Sequence, residues 1–152
     1  MSQPDRETVY EALFTILNNV LGPTGTSPLF AFASRRISGV EAMASANMPA
    51  MYQSQRNEAY KAIKGLPQVR RFRADLILYA NFGADDTAIP SSSLNGLVTA
   101  VENVMGPNMA TAFQQLGVPV SSAMIDGNIE YHEGVLNVFA VAVVPIEIIA
   151  NY

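Results

Sequence analysis

The chain contains no cysteine, which removes disulfides, thiol nucleophiles and thiolate metal sites together. It has a single histidine, His132, so a zinc centre lacks the three or four clustered ligands it needs. No apolar run reaches the ~20 residues of a membrane helix, and the longest, 138–146, contains Pro145. The opening residues, Met1 to Glu7, lack the basic-then-apolar order of a secretory leader, so residence in the cytosol is the expectation. Charge is scarce as well. Only 14% of the 152 residues are charged and 49% are hydrophobic, against the ~25% charged of a typical domain. This composition excludes a disordered chain. The length suits one domain, large enough to bury about 68–70% of its unfolded surface. So few charges also imply that part of the surface is covered.

The most informative absence is local: no lysine or arginine follows Arg73. Residues 1–34 carry a net charge of −2, residues 35–73 carry +6 and residues 74–152 carry −8, which together make the net −4. Such separation suits head-to-tail association of copies through complementary patches. The competing reading is that folding interleaves the segments and cancels the asymmetry.

Hydrophobic spacing supplies the elements. Val9, Ala12, Leu13, Ile16, Leu17 and Val20 form the stripe of an amphipathic helix over 5–21. Ser2 or Asp5 is its cap, and Gly22-Pro23 is its stop, glycine by taking a left-handed cap. Leu29 to Ile37 alternates as a strand with Phe30 and Phe32 on one face, and Ser38 to Ala50 reads as a loop or a short helix. Met51 to Ile63 is a strand plus a turn, without a clear period, Lys64-Gly65-Leu66-Pro67 a turn, and Gln68 to Asn81 a strongly alternating strand. In that strand Phe72, Ala74, Leu76 and Leu78 face one way, and Arg71, Arg73, Asp75 and Tyr79 the other. Phe82 to Pro90 is a loop, and a second helix spans 92–105, with Leu94, Leu97, Val98, Val101 and Met105 inward and Ser91 to Ser93 as its cap.

Residues 118–131 and 135–149 read as a long hairpin turning at His132-Glu133-Gly134. Arms of this length span roughly 45 Å at ~3.3 Å per residue, so they bend or project, with Asp126-Gly127 and Pro145 as bulge points. Val138 to Ile149 is apolar on both faces apart from Glu147, which implies cover from both sides by a second layer or a neighbouring copy. The expected fold is α+β: a mixed, mainly antiparallel sheet, two amphipathic helices on one face, and a long C-terminal β-hairpin.

Chemistry is hard to find. Gly22-Pro23-Thr24-Gly25-Thr26 lacks the lysine and preceding strand of a phosphate-binding loop. There is no Gly-x-Ser-x-Gly elbow, and Asp85-Asp86 falls short of a calcium loop. His132 beside Glu133 reads as a surface residue. The expectation is a protein that is not an enzyme and holds no cofactor or metal. Arg70-Arg71-Phe72-Arg73 is the densest basic cluster; on a strand Arg71 and Arg73 share a face with Asp75 and Arg70 points the other way, so it reads as a solvated or interface face rather than a DNA reader. Met43, Met48 and Met51 form a candidate adaptable contact loop, because methionine repacks easily.

Several segments in order resemble the tail terminator (tail completion) proteins of long-tailed bacteriophages. They are Lys64-Gly65-Leu66-Pro67, Ala74-Asp75-Leu76-Ile77-Leu78-Tyr79-Ala80-Asn81, Pro90 with Leu94-Asn95-Gly96-Leu97-Val98 and Val101-Glu102, and Gln114-Gln115-Leu116-Gly117. Ile125-Asp126-Gly127-Asn128-Ile129, Glu133-Gly134-Val135-Leu136 and Ala140-Val141-Ala142-Val143-Val144-Pro145-Ile146 complete the set, which spans about residues 52–149. The resemblance implies a structural virion protein, assembled in the host bacterial cytoplasm. Copies would form a ring, typically a hexamer, on the head-proximal end of the tail tube, stop tube polymerisation and present a docking surface to the neck. Its implied partners are other copies, the tail tube protein, a head-completion or neck protein, and phage DNA passing through the channel without sequence-specific binding. No membrane is involved. On this reading Arg70, Arg71, Arg73, Asp126, Glu130 and Glu133 are the expected inter-subunit or partner contacts, and acids of the C-terminal half line the channel, where lysines and arginines would grip phosphate. The alternatives are a head-completion or connector adaptor of the same neck, and a small ligand-binding α+β domain, which would need a deep pocket with converging polar groups.

Overall fold

Alternation along Gln68 to Asn81 sets the sheet. In the computed structural model, which describes residues 4–36, 48–66, 68–81, 89–136 and 139–151, this segment is strand β3 (Val69–Asn81). Phe72, Ala74, Leu76 and Leu78 are buried on its inner face. Around it lie α1 (Arg6–Leu21), β1 (Phe32–Ser34), β2 (Ala50–Lys61), α2 (Pro90–Val104), α3 (Met109–Gln115), β4 (Ser122–Ile125), β5 (Glu130–Leu136) and β6 (Phe139–Asn151). The fold is α+β, with a mixed, mostly antiparallel six-stranded sheet in the order β1-β2-β3-β6-β4. Among the described residues, only β1 runs parallel to its neighbour, β2. β3 pairs with β6 along its whole length, from Val69↔Asn151 to Asn81↔Phe139. Both β4 and β5 therefore share the other edge of β6.

The helices cover the inner face. Val9, Leu13 and Leu17 of α1 and Leu94, Val98 and Val101 of α2 meet Leu76, Leu78, Val144, Ile146 and Ile148 in one core. Each large apolar side chain sealed there contributes about 1.5–3 kcal/mol. Tyr10 packs edge-on against Phe72, with ring centroids 5.8 Å apart. A third helix, α3, adds Met109 and Phe113 to the core, so the helical layer has three members where the spacing gave two.

Four further expectations are corrected. Phe30 is buried but precedes the short β1, whereas Phe32 is largely exposed and packs on Tyr52. Gly22 ends α1 with φ −70°, not in a left-handed cap. Close approach is what limits side-chain size there, because the loop folds back onto the helix end. Ser27 N–H donates to the Val20 carbonyl at 2.8 Å and Phe30 N–H to the Leu21 carbonyl at 2.9 Å, and a Cβ on Gly25 would lie 2.4 Å from the Val20 carbonyl oxygen. α2 begins at Pro90, a residue suited to the first helical turn, so Ser91 to Ser93 lie inside the helix. Lastly, His132-Glu133-Gly134 lies within β5, and Leu136 pairs with Phe139. Its glycine marks a register shift in an edge strand rather than the hairpin turn.

The long first arm is interrupted at Asp126-Gly127, as its turn chemistry predicts. Asp126 N–H donates to the Pro145 carbonyl at 3.1 Å, and Gly127 takes φ +121°. β6 is covered on both faces by its own chain. Its even residues face the helices. Val141 joins Tyr52, Tyr79 and Ala50 in a second cluster, and Glu147 is buried beside Arg73. The apolar last strand thus needs no neighbouring copy to shelter it.

Candidate functional site

The outer face of the sheet collects charge by register. Arg73 lies opposite Glu147 and Asp75 opposite Pro145, while Met124 of β4 lies beside Glu147 on the other side. An Arg73 Nη2–H donates to Glu147 Oε2 at 2.9 Å and lies 3.8 Å from Asp126 Oδ2. The Glu147 side chain is 6% exposed and that of Arg73 40%. Arg56, at the single-residue bulge of β2, reaches Asp75 at 3.4 Å. Arg56, Arg73, Asp75, Asp126, Asn128 and Glu130 surround a hollow of about 280 Å³. Burial pushes the Asp75 carboxyl above the usual carboxylate range, Arg56 opposes that shift, and nearby Glu130 adds to it. Around this hollow four carboxylates, including Glu147, stand against two guanidiniums, and the exposed Arg71 lies farther along the same face. No hydroxyl nucleophile or histidine lines the hollow.

The other residues singled out in the sequence scatter. Arg70 turns inward. It is buried, stacks over Phe72 with its guanidinium carbon 4.6 Å from the ring centroid, and donates to the Pro4 carbonyl at 3.1 Å. It braces the start of α1 and is not an exposed contact. Beside it Arg6 holds Glu58 at 2.7 Å and the Tyr60 hydroxyl at 3.0 Å. The Tyr10 hydroxyl donates to Glu58 at 3.2 Å, and burial raises its pKa well above the usual tyrosine value. Glu133 accepts the Ser91 N–H at 2.9 Å, so a carboxylate from β5 occupies the positive end of α2 in place of the expected serine cap. Arg71 is exposed on the outer face. Met51 is buried in β2 and Met48 packs beside the Tyr52 cluster, so neither forms an exposed contact loop. Met43 and Asp85-Asp86 lie outside the described residues.

The charge asymmetry is partly cancelled within the chain. Arg6–Glu58, Arg35–Glu7, Arg56–Asp75, Arg73–Asp126 and Arg73–Glu147 each join the basic segment to another. Apart from Arg36, which follows β1, the exposed cations outside these pairs gather in one place. Lys61, Lys64 and Arg71 lie at the closed end of the β2–β3 hairpin, with Tyr60, Ile63 and Leu66 at 51%, 49% and 63% exposure. On the helical side, Ile16 and Val20 pack against the core as their stripe predicts, but at its edge, where they stay half-buried. With Ala100, Val104, Met109 and Ala112 they line an open apolar groove of about 550 Å³. That groove was not legible in the sequence because α3 was not, although Met109 and Phe113 stand at helical i, i+4 spacing. Among the described residues, no helix is long and apolar enough to cross a membrane, and no group of three or more His, Asp or Glu is placed to hold a metal ion.

No known protein family matches the chain, and no curated protein sequence matches it.

Proposed function

We propose that this chain is a ring-forming structural protein of a long-tailed bacteriophage, a tail terminator that caps the head-proximal end of the tail tube and offers a docking surface to the neck. The observation that carries the reading is the order of the segments resembling that family. They fall on consecutive parts of one α+β unit: the β2–β3 turn, the central strand β3, α2, the end of α3, the Asp126-Gly127 break, and the β5–β6 pair. Two features support it. Exposed Lys61, Lys64 and Arg71 gather at the β2–β3 hairpin end, away from the groove whose lining segments hold no cation, which suits a heterologous contact between copies. The hollow on the outer sheet face carries Asp75, Asp126, Glu130 and Glu147 against Arg56 and Arg73, a local excess of acid that favours sliding of DNA over binding, with Arg71 the exposed cation beyond it. On this reading that face lines the channel.

The test is the form of tails made by a phage from which this gene has been deleted. Tails of uncontrolled length support termination. Tails of normal length with unfilled or leaking heads overturn it in favour of a head-completion or connector adaptor.

A further inference from the structure

We infer that copies of this chain join head to tail, the closed end of the β2–β3 hairpin of one copy entering the apolar groove between α1, α2 and α3 of the next. The inference rests on the ring-forming reading for the closure of the contact, not for the contact itself.

Three observations carry it. First, the hairpin end exposes Tyr60, Ile63 and Leu66 together, interleaved with Lys61 and Lys64. A turn of ordinary surface composition would be polar, and side chains of this size left in water mark a contact site. Second, the groove is its chemical complement. Every residue lining it comes from residues 7–34 or 74–152, stretches that contain no lysine or arginine. Glu102 is exposed on α2 next to Asn103, one of the groove's lining residues. Apolar anchors ringed by lysines therefore meet an apolar slot whose lining segments hold no cation and beside which an acid is exposed, which sets both affinity and orientation.

Third, the two surfaces lie at opposite ends of one helix. Arg6 at the start of α1 holds Tyr60 of the hairpin, whereas the groove is built on Ile16, Val20 and Leu21 at the other end. At 1.5 Å per residue, Arg6 and Val20 are separated by about 21 Å along the helix. A chain does not fill its own groove across that span. A second copy does, and a contact whose donor and acceptor surfaces lie apart is heterologous, so it propagates into a ring or a filament.

The chain has no cysteine of its own, which permits a direct test. A Leu66→Cys chain is mixed with an Ala112→Cys chain under mild oxidation, beside a control mixture of Leu66→Cys with Ser92→Cys, an exposed position on the first turn of α2. Circular dichroism checks that each variant remains folded. The expected result is a mixed disulfide dimer formed about ten-fold or more above the control, and suppressed to a similar degree by adding Ile63→Asp to the Leu66→Cys chain. Cross-linking no better than the control overturns the contact, and if the unmodified chain still sediments as a ring, the ring-forming reading survives without it. A chain carrying both Leu66→Cys and Ala112→Cys completes the test. A ladder ending at one closed species supports contact and ring together. An open-ended ladder upholds the contact and overturns the ring.

Discussion

Arg73→Ala separates two roles that the sequence allows this arginine, contact with a partner and support of the chain's own sheet. Its Nη2 lies 2.9 Å from the Glu147 carboxylate, which is 6% exposed in the centre of β6. Removing one partner of a fully buried pair costs about 3–5 kcal/mol, because the remaining charge stays out of water. Arg73 is itself 40% exposed, so water enters the vacated space, and we expect a loss of about 2 kcal/mol. For a chain of this size that lowers the midpoint by about 4–8 °C. Urea titration followed by far-UV circular dichroism, at one fixed protein concentration so that self-association does not enter, measures the loss. Glu147→Gln in the Arg73→Ala background removes the stranded charge and should recover more than half of it, giving a double-mutant cycle for the pair. Asp126→Ala, half-exposed and 3.8 Å from the guanidinium, should stay within about 0.5 kcal/mol. A loss of under about 0.5 kcal/mol for Arg73→Ala, or no recovery with Glu147→Gln, would refute the assignment of Arg73 to the chain's own stability.

Leu17→Ala, at a fully buried position between helix and sheet, should cost about 2–5 kcal/mol by the same titration. Gly127→Ala forces φ +121° on an L side chain and puts a Cβ 3.2 Å from Pro145 Cγ. A loss of about 1–3 kcal/mol is expected, which Pro145→Ala relieves only in part. Asp75 has a raised folded-state pKa, so the folded chain takes up its proton more readily than the unfolded one. Stability from this group therefore falls as pH rises from the ordinary carboxylate value through the raised one, then levels. Asp75→Asn should gain on the parent as pH climbs from about 4, measured as the difference in urea midpoint. A constant difference across that range would contradict the burial of this carboxyl.

The sheet and two of its helices were legible because their signals are local. Alternation in 68–81 and the apolar stripes of α1 and α2 follow from one element meeting one core. Other features depended on distant partners. Gly134 reads as a turn until β6 is known to run past it, and alternation sets Arg70 apart from Arg71 and Arg73 on the Phe72 face without showing that Pro4 is brought to it. Ile16 and Val20 have core spacing and do pack against the core, but only the placing of α3 makes them the wall of a groove as well. The ion pairs show the same limit. Sequence reveals three segments of unlike charge, and only the register of β3 against β6 joins Arg73 to Glu147. The outer-face carboxylates at 75, 126, 130 and 147 come from four different strands or loops, with no spacing to announce them.

The division of one sheet edge between β4 and β5 has a further consequence. A chain with so little charge, concentrated wherever many copies gather, is exposed to runaway stacking of strands. A long straight border would offer unpaired amides and carbonyls to any passing chain. Here that border is two short pieces, four and seven residues long, parted by a kink at Gly127, with Glu130 and Glu133 on the longer one. An intruding strand finds no continuous template, so copies are steered away from indiscriminate β-aggregation and toward encounters through side chains.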